Sequence, residues 1–172
     1  MRGTEPVKTT HLFRNELQPG IARYAALPLR LMVGYGFLAH GLAKWSKGPE
    51  AFAAILHAAG VPAPQLMAWT TIFVEIFGGV AFLLGALISL ASIPSIILLV
   101  VAIAKVHLPY GFSSIKLTGY SGGGAQFGPP GYECDLLYIA CIVTLMLLGA
   151  SPWSVDAILS AKIRSGGAQH QA

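Results

Sequence analysis
Apolar residues run along this chain in long blocks, and polar residues gather at the block ends. The first block spans about 27–45, with Pro28 in its opening turn, where a missing N–H costs nothing. Its uncharged core, Leu31 to Ala43, is short, so flanking residues have to help it cross a bilayer. Arg30 sits one turn inside and is expected to snorkel back to the headgroups, with Trp45 as an interface anchor. Residues 46–65 form a connection whose middle, Ala51–Ala59, suits a short interfacial helix ended by Pro62 and Pro64. From Leu66 to Leu108 the only formal charges are Glu75 and Lys105. That run is too long for one helix through a hydrocarbon core of about 30 Å. The stretch I-S-L-A-S-I-P-S, residues 88–95, predicts the break, giving spans of about 66–89 and 93–108 joined as a tight hairpin. Residues 109–131 are rich in Gly and Pro and read as a long outer loop, of the kind used for binding or as lids. A fourth span of about 132–150 is stopped by Ser151-Pro152, and W-S-V-D-A-I-L begins a short amphipathic segment. The organisation is therefore a polar arm (1–26), a membrane domain (27–159) and a flexible tail (160–172). The expected fold is all-α, with four transmembrane helices in an antiparallel bundle. No internal repeat is evident.

Composition narrows the class. Apolar residues make up 55% of the 172 residues and charged residues 10%, against about 25% charged in ordinary soluble domains. Mean hydropathy is +0.66. The formal net charge is +4, but the basic residues sit at the ends of apolar runs and form no stripe, which excludes nucleic acid as a partner. They read as topology determinants instead. Arg2, Lys8, Arg14, Arg23, Arg30, Lys162 and Arg164 would share one side of a four-span protein, and Lys44, Lys47, Lys105 and Lys116 the other. That bias predicts both termini in the cytoplasm. No signal peptide is read, because the leader is long and the apolar block behind it runs into a charged motif. Cys134 and Cys141 show no metal spacing. On one helix they would lie roughly 10 Å apart along the axis, too far for a disulfide, and they read as small packing residues.

This topology collects ionisable groups in the outer half of the bundle. His40 and Lys44, one turn apart, end the first span; Glu75 lies well inside the second; Lys105 and His107 end the third; Glu133 and Asp135 begin the fourth. Glu75 is the strongest signal, because a carboxylate at depth in a membrane is costly unless paired, protonated or wetted. Gly78 and Gly79 follow on its own face and allow close helix approach, so Glu75 should face protein, with His40 or Lys44 as its partner. Gly36 leaves room beside the His40 ring. His107 is expected inward and Lys105 outward. Of Glu133 and Asp135, one should face in and the other toward the loop, and Tyr132 could hydrogen-bond into the cluster or stand in the aromatic belt. The candidate site is His40, Lys44, Glu75, His107 and Glu133. Two roles stay open: a ligand or proton-handling site, or a buried ion pair that locks helix pairing. The spacing is no metal signature, and no metal is expected.

The motifs L-R-L-x-x-G with F-L-A-H-G-L-A-K, then V-E-I-F-G-G, V-H-L-P-Y-G-F, G-Y-E and S-P-W-S-V-D-A-I-L resemble the DoxX family of small bacterial membrane proteins over about residues 27–159. His40, Lys44, Glu75, His107, Tyr132 and Glu133 match the polar positions of that family. The family's Pro-Asn-Gly turn appears here as Pro109-Tyr110-Gly111, so no role for an Asn carries over. The resemblance implies a membrane component of a redox system. Its name comes from a subunit of a thiosulfate:quinone oxidoreductase, which makes quinone the candidate cofactor, with His40, Lys44 and Tyr132 as its contacts. The expected partners are the lipid bilayer, a redox enzyme and a second copy of the chain. The alternatives are a non-enzymatic anchor that recruits a redox enzyme, docked through residues 109–131, and a small-solute carrier, against which the lack of inverted repeats argues.

Overall fold
The structure is a computed structural model that describes Gly20 and residues 24–149 and 151–169. Most of the polar arm expected over 1–26, with Arg2, Lys8, Arg14 and Arg23, lies outside the described residues, as do His170 to Ala172 and the Arg164 side chain.

From Ala26 on, the described residues form six helices and one β-hairpin, in order. Helix α1 runs Ala26–Lys47 and is broken from α2, Pro49–Ala58, by Gly48 at φ 95°. Pro49 starts α2, and Pro64 starts α3, Pro64–Leu84, after Ala63 in a left-handed conformation. Proline suits both places because the first helical N–H has no intrahelical partner. Helix α4 is Ile88–Ala102, continued by a π turn, Ile103–His107, and a 3-10 turn, Leu108–Tyr110. Helix α5 is Glu133–Leu148 and α6 is Val155–Gln169. Helix α6 therefore continues through most of the stretch expected to be a flexible tail.

The break between the second and third blocks falls earlier than the sequence suggests. It lies at Gly85–Leu87, and Pro94 is inside α4 rather than near its start. Gly85 takes φ 64°, and the Ala86 N–H donates to the Ala81 carbonyl at 2.9 Å, a left-handed helix stop. Pro94 leaves an i−4 carbonyl without its N–H, and the Ser92 and Ser95 hydroxyls bond back to the Ile88 and Ala91 carbonyls at 2.7 and 2.8 Å.

Helix α1 packs on α3 and α5, and α4 packs on the same two helices. Between them lies a core of Val33, Phe37, Phe82, Ile88, Leu99, Ile142 and Leu145. A smaller core, Ala53, Leu56, Val61 and Ala68, holds α2 against α3. The α1–α3 contact is backbone on backbone. A Cβ added at Gly79 would come within 2.6 Å of the Leu38 nitrogen, and one at Gly34 within 2.9 Å of the Gly79 carbonyl oxygen. Gly78 faces α4 instead, where a Cβ would meet only Ser95 Oγ at 3.2 Å. Gly79→Ala is therefore expected to cost about 1–3 kcal/mol through overpacking, and Gly78→Ala distinctly less. Thermal unfolding in detergent micelles compares the two, and equal losses would contradict the backbone contact.

The outside of this body is apolar. Phe77, Leu90 and Ile97 are 65%, 65% and 58% exposed, an arrangement that water penalises and lipid does not. Among the described residues, two helical runs are long and apolar enough to cross a membrane, Pro64–Leu84 with 21 residues and Ile88–Tyr110 with 23.

The long outer loop expected over 109–131 contains regular structure. Strands β1, Leu117–Ser121, and β2, Gly124–Phe127, form an antiparallel hairpin. The alternation is too short, and too broken by glycine, to read as strands from sequence.

Candidate functional site
Lys44 and Glu75 meet across the α1–α3 contact. Lys44 Nζ donates to Glu75 Oε1 at 2.5 Å and to Oε2 at 2.6 Å. The carboxylate is buried, and the ammonium keeps 24% of its side chain exposed. Two features of the fold make the pair. Gly41, one turn before Lys44, brings its backbone against Glu75 Cβ and Ile76, and α2 lays the Phe52 ring under the ammonium at 5.2 Å. A cation over an aromatic face is stabilised by the ring quadrupole. Of the two partners expected for Glu75, Lys44 is the one that bonds it.

His40 is exposed. It is within electrostatic reach of Glu75 on α3 and of Asp135 on α5. The room expected beside it at Gly36 is filled by the Tyr138 hydroxyl, one helical turn away.

Asp135 faces His107, with Oδ2 at 3.8 Å from Nε2. The other ring nitrogen, Nδ1, lies 3.1 Å from the Pro130 carbonyl. A carbonyl only accepts, so Nδ1 carries a proton there, and Nε2 is the nitrogen that faces Asp135. Lys105 is exposed. The π turn at Ile103–His107 inserts an extra residue into the helix and sets the direction of the ring.

Glu133 and Tyr132 sit elsewhere. The Glu133 carboxylate accepts the Ser114 N–H at 3.0 Å, and the Glu133 N–H donates to the Phe112 carbonyl. The Tyr132 ring packs edge-on against Phe112, with centroids 5.7 Å apart. Both residues tie the outer connection to the start of α5. Asp135, two residues on, is the α5 carboxyl that turns toward His40 and His107. A sequence signal for it exists, since Asp135, Tyr138, Ile142 and Leu145 share one helical stripe, but α5 is apolar all round and the stripe does not stand out.

Arg30 departs most from expectation. It is 2% exposed and turns into the protein, not to the headgroups. Its Nε donates to the Phe82 carbonyl, NH1 to Ser151 Oγ, and NH2 to the Leu83 and Trp153 carbonyls, at 2.6–3.2 Å. The C-terminal end of α3 attracts a cation, and the guanidinium fork spans more acceptors than an ammonium could. Beside it, Asp156 accepts the Leu87 and Ile88 N–H groups at 2.9 and 3.4 Å and so caps α4 from another segment. Leu87 and Trp153 both take positive φ there, 52° and 58°. This network lies at the opposite end of α1 from Lys44.

Cys134 and Cys141 are free thiols. An open apolar groove of about 410 Å³ runs between α3 and α4, lined by residues such as Phe73, Phe77, Leu90 and Pro94. It occupies a different face of α3 from Glu75 and presents almost no polar surface. Among the described residues, no group of three or more His, Cys, Asp or Glu side chains is arranged to hold a metal ion.

Comparison with known proteins follows the same outline. The DoxX family model matches residues 25–108, a range that includes His40, Lys44, Glu75 and His107. An uncharacterized membrane protein of Mycobacterium tuberculosis (strain ATCC 25618 / H37Rv) is 32% identical over 149 residues, covering 82% of this chain and 85% of that protein. No solved structure matches.

Proposed function
The chain belongs to the DoxX family, and from that premise we propose that it is a four-span subunit of a membrane redox system whose outer-end polar cluster receives a quinone head. The spans would be α1, α3, the Ile88–Tyr110 run and α5, bundled antiparallel with both termini in the cytoplasm of a bacterial inner membrane. Helix α2 and the β-hairpin then lie on the outer side.

The observation that carries the reading is His40. It is an exposed imidazole near the end of α1, within electrostatic reach of two carboxyl groups on neighbouring helices, Glu75 and Asp135. A quinone carbonyl accepts a hydrogen bond from His40. Reduction of a quinone takes up two electrons and two protons. The electrons come from a partner enzyme, and His40, Asp135 and His107 hold and move protons at the rim. The bilayer supplies the substrate laterally.

The anchor reading draws on the Lys44–Glu75 pair, which already satisfies both of its members. Binding of a quinone analogue to the purified protein separates the two. His40→Ala is expected to weaken it at least tenfold while leaving the unfolding temperature nearly unchanged, because the ring is exposed. Undiminished binding in that variant would sink the quinone reading.

A further inference from the structure
The β-hairpin has one apolar face and one polar face, and a bulge creates the division. Leu117 pairs with Phe127, but Gly119 pairs with Gln126, so Thr118 is the extra residue of the ladder. Tyr120 then pairs with Ala125, and Ser121 with Gly124. Cross-strand partners share a face, and successive pairs alternate. Leu117, Tyr120, Ala125 and Phe127 therefore point one way, and Gly119, Ser121, Gly124 and Gln126 the other. In an unbulged strand Leu117 and Tyr120, three residues apart, would point oppositely. The Gln126 side chain reaches Ser121 Oγ at 3.3 Å, as residues on one face should.

Nothing described in the protein covers the apolar face. Leu117, Tyr120 and Phe127 are 65%, 83% and 62% exposed, and no helix packs extensively against either strand. A lone two-stranded hairpin is marginal in water. Its stem is nonetheless fixed to the helices. The Gly128 and Gly131 N–H groups donate to the Lys116 and Ser113 carbonyls, and Tyr132 and Glu133 continue the series to Gly111 and Phe112.

We propose that this face rests on the lipid headgroup region of the bilayer that the helices cross. Two observations select lipid. Along the chain, exposed Leu108, Tyr110, Phe112 and Ile115 lead from the end of the Ile88–Tyr110 run to the hairpin. The charge also fits, because between His107 and Glu133 the only formal charge is Lys116. A basic, acid-free segment with tyrosines and phenylalanines matches the chemistry of the interface, where aromatic rings sit at headgroup level and lysine meets anionic lipid.

The test uses the full chain in liposomes of phosphatidylethanolamine and phosphatidylglycerol. An environment-sensitive fluorophore is placed on a single cysteine at Tyr120→Cys, Phe127→Cys or Ser121→Cys, with Cys134 and Cys141 replaced by serine. At 120 and 127 the emission should shift to the blue. Lipids carrying a nitroxide near the headgroup should quench it at least threefold more than at 121, while aqueous iodide shows the reverse order. Equal iodide access at all three positions without lipid quenching would overturn the proposal. So would protection of 120 and 127 that appears only as the protein-to-lipid ratio rises, which marks a second copy, or only on adding a soluble protein. If one variant does not fold, the other position on the same face decides.

Discussion
Lys44→Met is expected to destabilise the protein by about 3–5 kcal/mol, the range for breaking a buried ion pair by removing one partner. The reason is the asymmetry of the pair. The Glu75 side chain is 7% exposed and lies deep in α3, so without Lys44 its carboxylate keeps only His40 within electrostatic reach. The converse change is milder. Lys44 is one turn from the end of α1 and 24% exposed, so in Glu75→Met the ammonium can swing to the headgroups. The double variant, Lys44→Met with Glu75→Met, should recover most of the loss, because apolar replacement of a buried pair is often near neutral. A double-mutant cycle by thermal unfolding in micelles measures all three. A double variant as unstable as Lys44→Met alone would contradict the argument. A rescued double variant also makes a clean reagent: a folded protein without the pair, in which quinone binding reports on His40 alone.

Arg30→Met should also be strongly destabilising, for a different reason. No carboxylate bonds the guanidinium. Its partners are three carbonyls and one hydroxyl, gathered from the end of α3 and from the Ser151–Trp153 turn. Each buried acceptor left unpaired costs about 1–3 kcal/mol. The strained backbone at Leu87 and Trp153 also loses the contacts that hold it. Arg30→Lys should restore only part of the loss, since one ammonium cannot span four acceptors. Limited proteolysis provides a second reading. In Arg30→Met the segment from Ser151 onward should be cleaved before the rest, and a cleavage pattern unchanged from the parent would overturn the account.

The contrast between Lys44 and Arg30 shows what the sequence could reveal. The Glu75 partner was legible, because a lone carboxylate in an apolar helix requires a partner and His40 and Lys44 were the nearest candidates along the topology. Arg30 was misread because a cation one turn inside a membrane helix has a simple exit along its own stem. What kept it inside was a turn 121 residues away, which no local pattern announces. The hairpin break was misplaced for a related reason. Pro94 and its serines are strong breakers in water, yet α4 runs through them. Gly85 was a weak cue inside an apolar run, and the Asp156 cap that completes the turn comes from another segment. At α5, uniform apolarity hid which of two acids faced inward, so Asp135 emerged only from the packing.

The Arg30 network also sets an order of events during synthesis. On the proposed four-span topology, Arg30 enters the membrane with α1, when neither the α3 carbonyls nor the Ser151–Trp153 turn has been made. Its guanidinium must stay at the lipid surface until α3 arrives, and its set of partners is complete only when the turn follows, 121 residues later. The chain therefore cannot close that end of the bundle early. A nascent protein that stalls before Ser151 carries an arginine free to pull α1 toward the headgroups, so the same side chain that locks the finished fold keeps the unfinished one open.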